Sequence, residues 1–376
     1  MLFLQNVSKY ARVLTATGAI LATNAVFAQH EVDDSADAGP VKISGNENAF
    51  GYSPAAMTAM MQSLGGINRY ARTQAEDFTA AVAAHEKVPA NFILPTPGSG
   101  PVLSMTALAY AAPGKNVVTV TPGYTQLTNL FASQGGTVKS VPLNENLAYD
   151  LKAIEAAIDK DTVIVYICNP NNPTGTVPDP EELKAFVRRI PKNVLIFADE
   201  AYLELAPGGV EKHSLAPLLN EGLNMIVSRT MSKAYGMAGL RVGYGMAKPE
   251  ILTKLRPYYQ GGPNLLALVG GTAAILDKEF LAENIANYAK VREMVTKELA
   301  GLGIKFAEPN GSFIFMETGI EAVEFQKLML AEKIEVGRPF APMTKWARVS
   351  IGTEDEMKRF LVAFKKVMTA QGKLKG

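Results

Sequence analysis

The sequence predicts an α/β fold, with a large domain built on a mostly parallel sheet followed by a smaller α+β domain. Three observations predict it. From about residue 88, short apolar runs alternate with stretches of helical periodicity, the pattern of strand–helix–strand units. After about residue 275 that alternation gives way to a long amphipathic stretch, short strands and a closing helix. The chain has 376 residues, more than one simple core usually holds, and its 48% apolar and 19% charged residues suffice for a buried interior.

In chain order, residues 1–28 read as a secretory signal peptide. Lys9 and Arg12 open it, an uncharged stretch runs from Val13 to Phe27, and Val26-Phe27-Ala28 places small residues at the minus-three and minus-one positions of a cleavage site. The apolar stretch is shorter than the roughly 20 residues a bilayer needs, so stable membrane anchoring is not expected. A periplasmic or secreted location is expected, with an N-terminal extension of a cytoplasmic protein as the alternative. Residues 29–40 form a polar linker. Buried strands are expected at Asn116–Thr121, Thr137–Pro142, Thr162–Cys168, Val194–Asp199 and Asn224–Arg229. Between them, Asp150–Ile158 and Pro180–Arg189 carry acidic starts and helical spacing. In the smaller domain a long helix near Lys278–Leu302 precedes short strands near Lys305–Ala307, Gly311–Met316 and Ala347–Ile351, and a final helix starts at Glu354.

Composition excludes several classes of function. Thirty-seven basic against 36 acidic residues leave a formal charge of +1, too little field for a nucleic-acid partner. The single cysteine, Cys168, excludes an intrachain disulfide framework and any multi-cysteine metal cluster, and it reads as an inert core residue. His30, His85 and His213 lie far apart in sequence, so no metal site is expected. The chemistry therefore has to be sought among other residues.

Parallel sheets place ligands beyond the carboxyl ends of their strands. The fourth expected strand ends in Ala198-Asp199-Glu200-Ala201-Tyr202, where an Asp alone would more often be a cap or surface charge. The fifth runs into Arg229-Thr230-Met231-Ser232-Lys233-Ala234-Tyr235-Gly236, a lysine between hydroxyls and a glycine that a solvated lysine would not need. The third runs into Asn169-Pro170-Asn171-Asn172-Pro173-Thr174-Gly175, turn chemistry by composition. With Arg241 following Lys233 by eight residues, the three tracts together resemble the motifs of class I/II, fold-type I pyridoxal-phosphate (PLP) aminotransferases, in family order. Asn46-Glu47-Asn48-Ala49-Phe50-Gly51 is similar to the opening motif of the histidinol-phosphate aminotransferase subgroup. The likeness runs from about residue 42 to the end of the chain.

The resemblance implies a central sheet with helices on both faces, an N-terminal arm over residues 41–70 that joins the small domain, a PLP-binding domain over 71–270 and a small domain over 271–376. It implies PLP held as a Schiff base by Lys233, which as a free amine moves the α-proton. Asp199 would keep the pyridine nitrogen protonated, Asn172 and Tyr202 would bond the ring's 3′-oxygen, and Tyr124 would stack on the ring. Ser99, Gly100, Thr230 or Ser232, and Arg241 would hold the phosphate, helped by a helix N-terminus after Pro97-Gly98-Ser99-Gly100-Pro101. That loop lacks the third glycine of a dinucleotide fingerprint and the Gly-Lys-Ser/Thr of a P-loop. Tyr70 resembles a tyrosine that reaches the phosphate of a neighbouring subunit, although Ala71 stands where the family usually has Pro. Family members are typically homodimers. Arg348, in Trp346-Ala347-Arg348-Val349-Ser350-Ile351-Gly352, resembles the arginine that grips the substrate carboxylate, with Arg338 a second anionic contact and Asn46 and Phe50 beside the substrate.

Phe50 stands where the histidinol-phosphate subgroup often has a tyrosine, and an export signal fits poorly with histidine biosynthesis. The expected activity is therefore transamination between an ordinary α-amino acid, aromatic ones included, and a 2-oxo acid. The alternatives are histidinol-phosphate transamination, or a PLP-dependent lyase or decarboxylase on the same scaffold. A non-enzymatic PLP-binding regulator is disfavoured, because only about 40 residues precede the fold.

Overall fold

Alternate residues of the central strands face opposite sides of a sheet, and here both sides are apolar. Val165, Ile167, Ile196, Ala198 and Val227 join one buried cluster, while Ile164, Tyr166, Leu195, Phe197 and Ile226 join another. Burial on both faces is why these strands read as continuous apolar runs rather than alternating ones. This computed structural model describes residues 39–374. The expected signal peptide and the linker as far as residue 38 lie outside the described residues.

The described chain runs β1 (Val41–Ile43), α1 (Pro54–Ser63), α2 (Arg72–Glu86), β2 (Ile93–Thr96), α3 (Gly100–Tyr110), β3 (Asn116–Thr121), α4 (Gln126–Ser133), β4 (Thr137–Pro142) and α5 (Leu151–Ala157). It continues through β5 (Thr162–Cys168), α6 (Pro180–Arg189), β6 (Leu195–Asp199), α7 (Gly209–His213), β7 (Met225–Thr230), β8 (Gly243–Ala247), α8 (Pro249–Leu255) and α9 (Leu265–Leu276). Last come α10 (Lys278–Gly301), β9 (Phe313–Glu317), α11 (Ala322–Ala331), β10 (Ile334–Val336), β11 (Trp346–Ser350) and α12 (Glu354–Ala370). Side chains start several helices where the sequence suggests. Asp179 accepts from the amides of Glu181 and Glu182 ahead of Pro180, and Thr353 forms a capping box with Glu356.

Seven strands form one sheet in the order β2-β8-β7-β6-β5-β3-β4. The run from β7 to β4 is parallel, and β8 is antiparallel to both of its neighbours. The fold is thus the expected α/β architecture on a mostly parallel sheet. The expected central strands match β3 to β7 to within one residue. Neither β2 nor β8 was expected, because Pro95 interrupts the first and two glycines dilute the second. Gly245 of β8 is needed there, since a Cβ would stand 2.9 Å from Val102 of α3.

A separate apolar cluster gathers α10, α11 and α12 around β9, β10 and β11, with Val41 and Ile43 of β1. β1 pairs in parallel with β10, and β9 pairs antiparallel with β11. Beyond β1, α1 packs on α9. The strand expected at Lys305–Ala307 is reduced to a single bridge between Phe306 and Met316. The chain turns away at Pro309, and the Asn310 amide bonds the carbonyl of Gly175 instead of continuing a ladder. Among the described residues no helix is long and apolar enough to cross a membrane.

Candidate active site

The carboxyl ends of β5, β6 and β7 open onto a cavity of about 480 Å³, closed from the other side by residues of the β1–α1 segment and by Arg338 and Arg348. It is lined by Asn46, Ser99, Gly100, Tyr124, Asn172, Asp199, Tyr202, Thr230, Ser232, Lys233, Arg241, Arg338 and Arg348, so the fold gathers nearly all of the expected site residues. Two stand elsewhere. The Phe50 ring packs edge-on against Tyr288 at 4.9 Å between centroids. Tyr70 is 96% exposed and borders a groove with Arg256 and Tyr259.

Lys233 follows the end of β7 in a turn. Its Nζ donates to the carbonyl of Asn46 at 2.9 Å and lies 5.5 Å from the Tyr202 ring centroid. Burial, then the positive field of Arg348, lowers its ammonium to about 8. The lowered value raises the share of free amine at neutral pH far above that of an ordinary lysine, which is what a nucleophile and proton carrier needs.

Asp199 ends β6 and is 3% exposed. Burial pushes its carboxyl up to about 6, while hydroxyls of Ser228 and Tyr166, the Ala201 amide and the field of Lys233 pull the other way. Tyr202 receives amide donors from Asn46 at 3.1 Å and Asn172 at 3.4 Å on its hydroxyl oxygen, and burial raises its pKa. Asn46 is held with φ at 54°, its amide donating to Ser350 Oγ and its Oδ1 accepting from that hydroxyl. Arg348, on β11, donates to Asn172 Oδ1 and to the Ser44 carbonyl, each at 2.8 Å. Its Nε is buried without a partner. A guanidinium that borders the cavity with one donor unpaired is suited to an incoming carboxylate once its side chain adjusts.

The other end of the cavity is built for an anion. No side chain caps the N-terminus of α3, where Ser99 and Gly100 present their backbone. Arg241 Nη1 approaches Ser232 Oγ at 3.3 Å, and that oxygen accepts from Thr230 at 2.9 Å. Gly98, with φ at 80°, makes room for the arginine, since a Cβ there would stand 2.6 Å from Arg241 Nη2. An anion cradle, a semi-buried amine and a buried carboxylate in one cavity match the phosphate, aldehyde and ring nitrogen of PLP.

Sequence reasoning missed several neighbours. Gln126 bonds the Gly100 carbonyl at 2.9 Å, Ser104 Oγ at 3.2 Å and the Tyr124 hydroxyl at 3.0 Å, with no motif to announce it. Glu47 lines the cavity, as does Cys168, which is also buried in the core as expected. Beside Asp199 and Lys233 lies a buried ion cluster, with Arg229 3.1 Å from Glu86, 3.0 Å from Glu200 and 3.6 Å from Glu204. Burial pushes Glu204 up to about 7. In the sequence this cluster was signalled by no more than Arg229 and Glu200 standing inside the two motif tracts.

The family described as aminotransferase class I and II matches residues 39–364. Histidinol-phosphate aminotransferase 1 of Dechloromonas aromatica (strain RCB) is 36% identical over 331 residues, spanning 87% of this chain and 90% of that protein. Histidinol-phosphate aminotransferase 2 of Pseudomonas fluorescens (strain Pf0-1) is 36% identical over 333 residues, 87% of this chain and 89% of that protein. Among solved structures, the histidinol-phosphate aminotransferase of Sinorhizobium meliloti in complex with pyridoxal-5′-phosphate superimposes with a TM-score of 0.78 at 26% identity, covering 88% of this chain and 91% of that one. Aspartate aminotransferase from Thermus thermophilus with maleate shares the fold, with a TM-score of 0.78 at 23% identity over 88% and 92% of the two chains. The chain belongs to the class I and II aminotransferase family.

Proposed function

We propose that this aminotransferase moves an amino group between an ordinary α-amino acid and a 2-oxo acid, using PLP attached to Lys233. The observation that carries the reading is the cavity itself, which brings together a lysine of lowered pKa, an anion cradle and the buried Arg348. When bound, PLP supplies an electrophilic aldehyde and a ring that accepts electrons. Lys233 would hold the aldehyde carbon, and its free amine would be the group that takes up and returns the proton at the substrate Cα. Asp199 would hold a proton on the ring nitrogen. Asn172 and Tyr202 would bond the ring oxygen, and Tyr124 would cover a ring face. Arg241, Ser232, Thr230 and the start of α3 would hold the phosphate. Arg348 would orient the substrate carboxylate, with Arg338 and Asn46 beside it.

A second reading, histidinol phosphate as amino donor, is favoured by the names of the relatives and by the two arginines, Arg338 and Arg348, that share the cavity. A donor screen tests both readings. The PLP-loaded protein is mixed with amino acids, aromatic ones included, and with histidinol phosphate, and the cofactor's absorbance is followed. An α-amino acid is expected to convert the cofactor to its amine form. No change with any donor would overturn transamination, and ammonia with pyruvate as products would point to a lyase. Arg348→Lys keeps the charge and loses the planar fork, so KM for the amino acid is expected to rise on the order of 100-fold, with a smaller fall in kcat.

Our reading also includes a homodimer in which Tyr70 reaches the neighbouring subunit's phosphate site. Its support is the exposure of Tyr70 together with Met61, Leu64 and Ile67 on one segment. Export rests on the residue pattern of 1–28 alone, and cleavage after Ala28 would leave a mature chain starting at Gln29.

A further inference from the structure

Strand β6 carries Asp199 between β5 and β7, and each neighbour sends one hydroxyl to it. Ser228 of β7 stands opposite Asp199 in register and donates to Oδ1 at 3.3 Å. Tyr166 of β5 donates to Oδ2 at 3.4 Å. We propose that Tyr166 is a positioning residue for the Asp199 carboxylate, holding it charged and correctly turned for the cofactor's ring nitrogen. The proposal rests on the reading that this nitrogen faces Asp199.

The Tyr166 ring is 2% exposed, within the apolar cluster of Ile164, Leu195 and Phe197, and meets Phe197 edge-on at 5.8 Å. A phenylalanine would fill that space equally well. The phenol hydroxyl is a burden in such surroundings unless it has partners, and here these are Asp199 and the Cys168 thiol, of which only the carboxylate gains charge stabilisation from it. The carboxylate needs the help, because among the described residues no lysine or arginine forms a salt bridge with it, and the cation whose field favours its charge is Lys233. The other titratable groups around it are Tyr124, Tyr149, Cys168 and Tyr202. Burial raises all four, so they stay neutral where the enzyme would work and give the carboxylate no compensating charge. Tyr166 lies behind the cavity wall and not in its lining, so its effect passes through Asp199.

The test uses Tyr166→Phe and, as an independent second variant, Ser228→Ala. PLP binding to the cofactor-free protein is titrated by fluorescence at pH 8, and melting temperatures of the cofactor-free proteins are compared at pH 5 and pH 8. Each variant is expected to bind PLP about threefold to tenfold more weakly, because a hydrogen bond to the charged form is lost. The sign of the melting difference follows from the carboxyl's raised pKa. At pH 5 Asp199 is mostly protonated and the hydroxyls matter little, whereas at pH 8 it is ionised and their loss lowers the melting temperature. Wild-type PLP affinity in Tyr166→Phe, or equal destabilisation at both pH values, would overturn the proposal and leave Tyr166 as packing. Failure of the wild-type protein to bind PLP would instead remove the functional reading. The pH-dependent melting difference would still report on the pairing of Tyr166 with Asp199.

Discussion

Lys233→Ala is expected to lower transamination by about 10⁴-fold, because in the proposed reaction this one side chain would both anchor the cofactor and carry the transferred proton. Among the described residues no other amine lines the cavity, so none in place can substitute. After borohydride treatment of the PLP-loaded protein, mass spectrometry should find a pyridoxyl mass on the peptide holding Lys233 and none in the variant. The rate of PLP capture by the wild type should rise with pH around 8, since the lowered pKa makes the free amine the majority form above that value. Folding should survive the change, as Lys233 contributes one hydrogen bond to Asn46 and a weaker one to Gly45. A variant that keeps substantial activity, or a pyridoxyl mass on another lysine, would remove Lys233 from the centre of the chemistry.

Asp199→Asn is expected to cost about 10³-fold in the rate of the amino-acid half-reaction, because an amide of the same shape cannot balance a protonated ring nitrogen. The same substitution should leave the cofactor-free protein no less stable at pH 8. The sign follows from the carboxyl being raised to about 6 in the folded chain. A raised carboxyl favours folding below its unfolded value near 4, and that contribution is lost as pH rises through about 6. At pH 8 the ionised Asp199 therefore weighs against the folded state, and asparagine does not. Such opposition between stability and activity is common where a buried charge waits for its ligand. Single-turnover absorbance changes and calorimetry of the cofactor-free protein check the two halves. A half-reaction that keeps its wild-type rate would mean that the ring nitrogen does not depend on Asp199.

Much of this was readable beforehand. The runs at Thr162–Cys168 and Leu195–Asp199 read as strands because both faces of the sheet are covered, which makes the local pattern strong. Asp199 ends β6, and Asn172 and Lys233 stand just beyond its neighbours β5 and β7, so topology alone carries all three to one edge. Strands β2 and β8 were hidden because glycine and proline mask their propensity. The bond from Arg348 to Asn172 spans 176 residues, and that from Asn46 to Ser350 spans 304. No period or spacing encodes contacts of that kind.

By itself, the amino-acid order determined the alternation of strands and helices, the chemistry offered at the strand ends, and the lysine and carboxylate to which we assign the reaction. Only the tertiary structure decided that Phe50 packs on Tyr288, that Gln126 and Glu47 join the cavity, and that Tyr166 and Ser228 bracket Asp199 from the two neighbouring strands. The physical reason is range. Hydrophobic periodicity and turn chemistry act over a few residues, whereas burial, the fields that move Lys233 and Asp199, and hydrogen bonds between distant segments exist only once the sheet has closed around them.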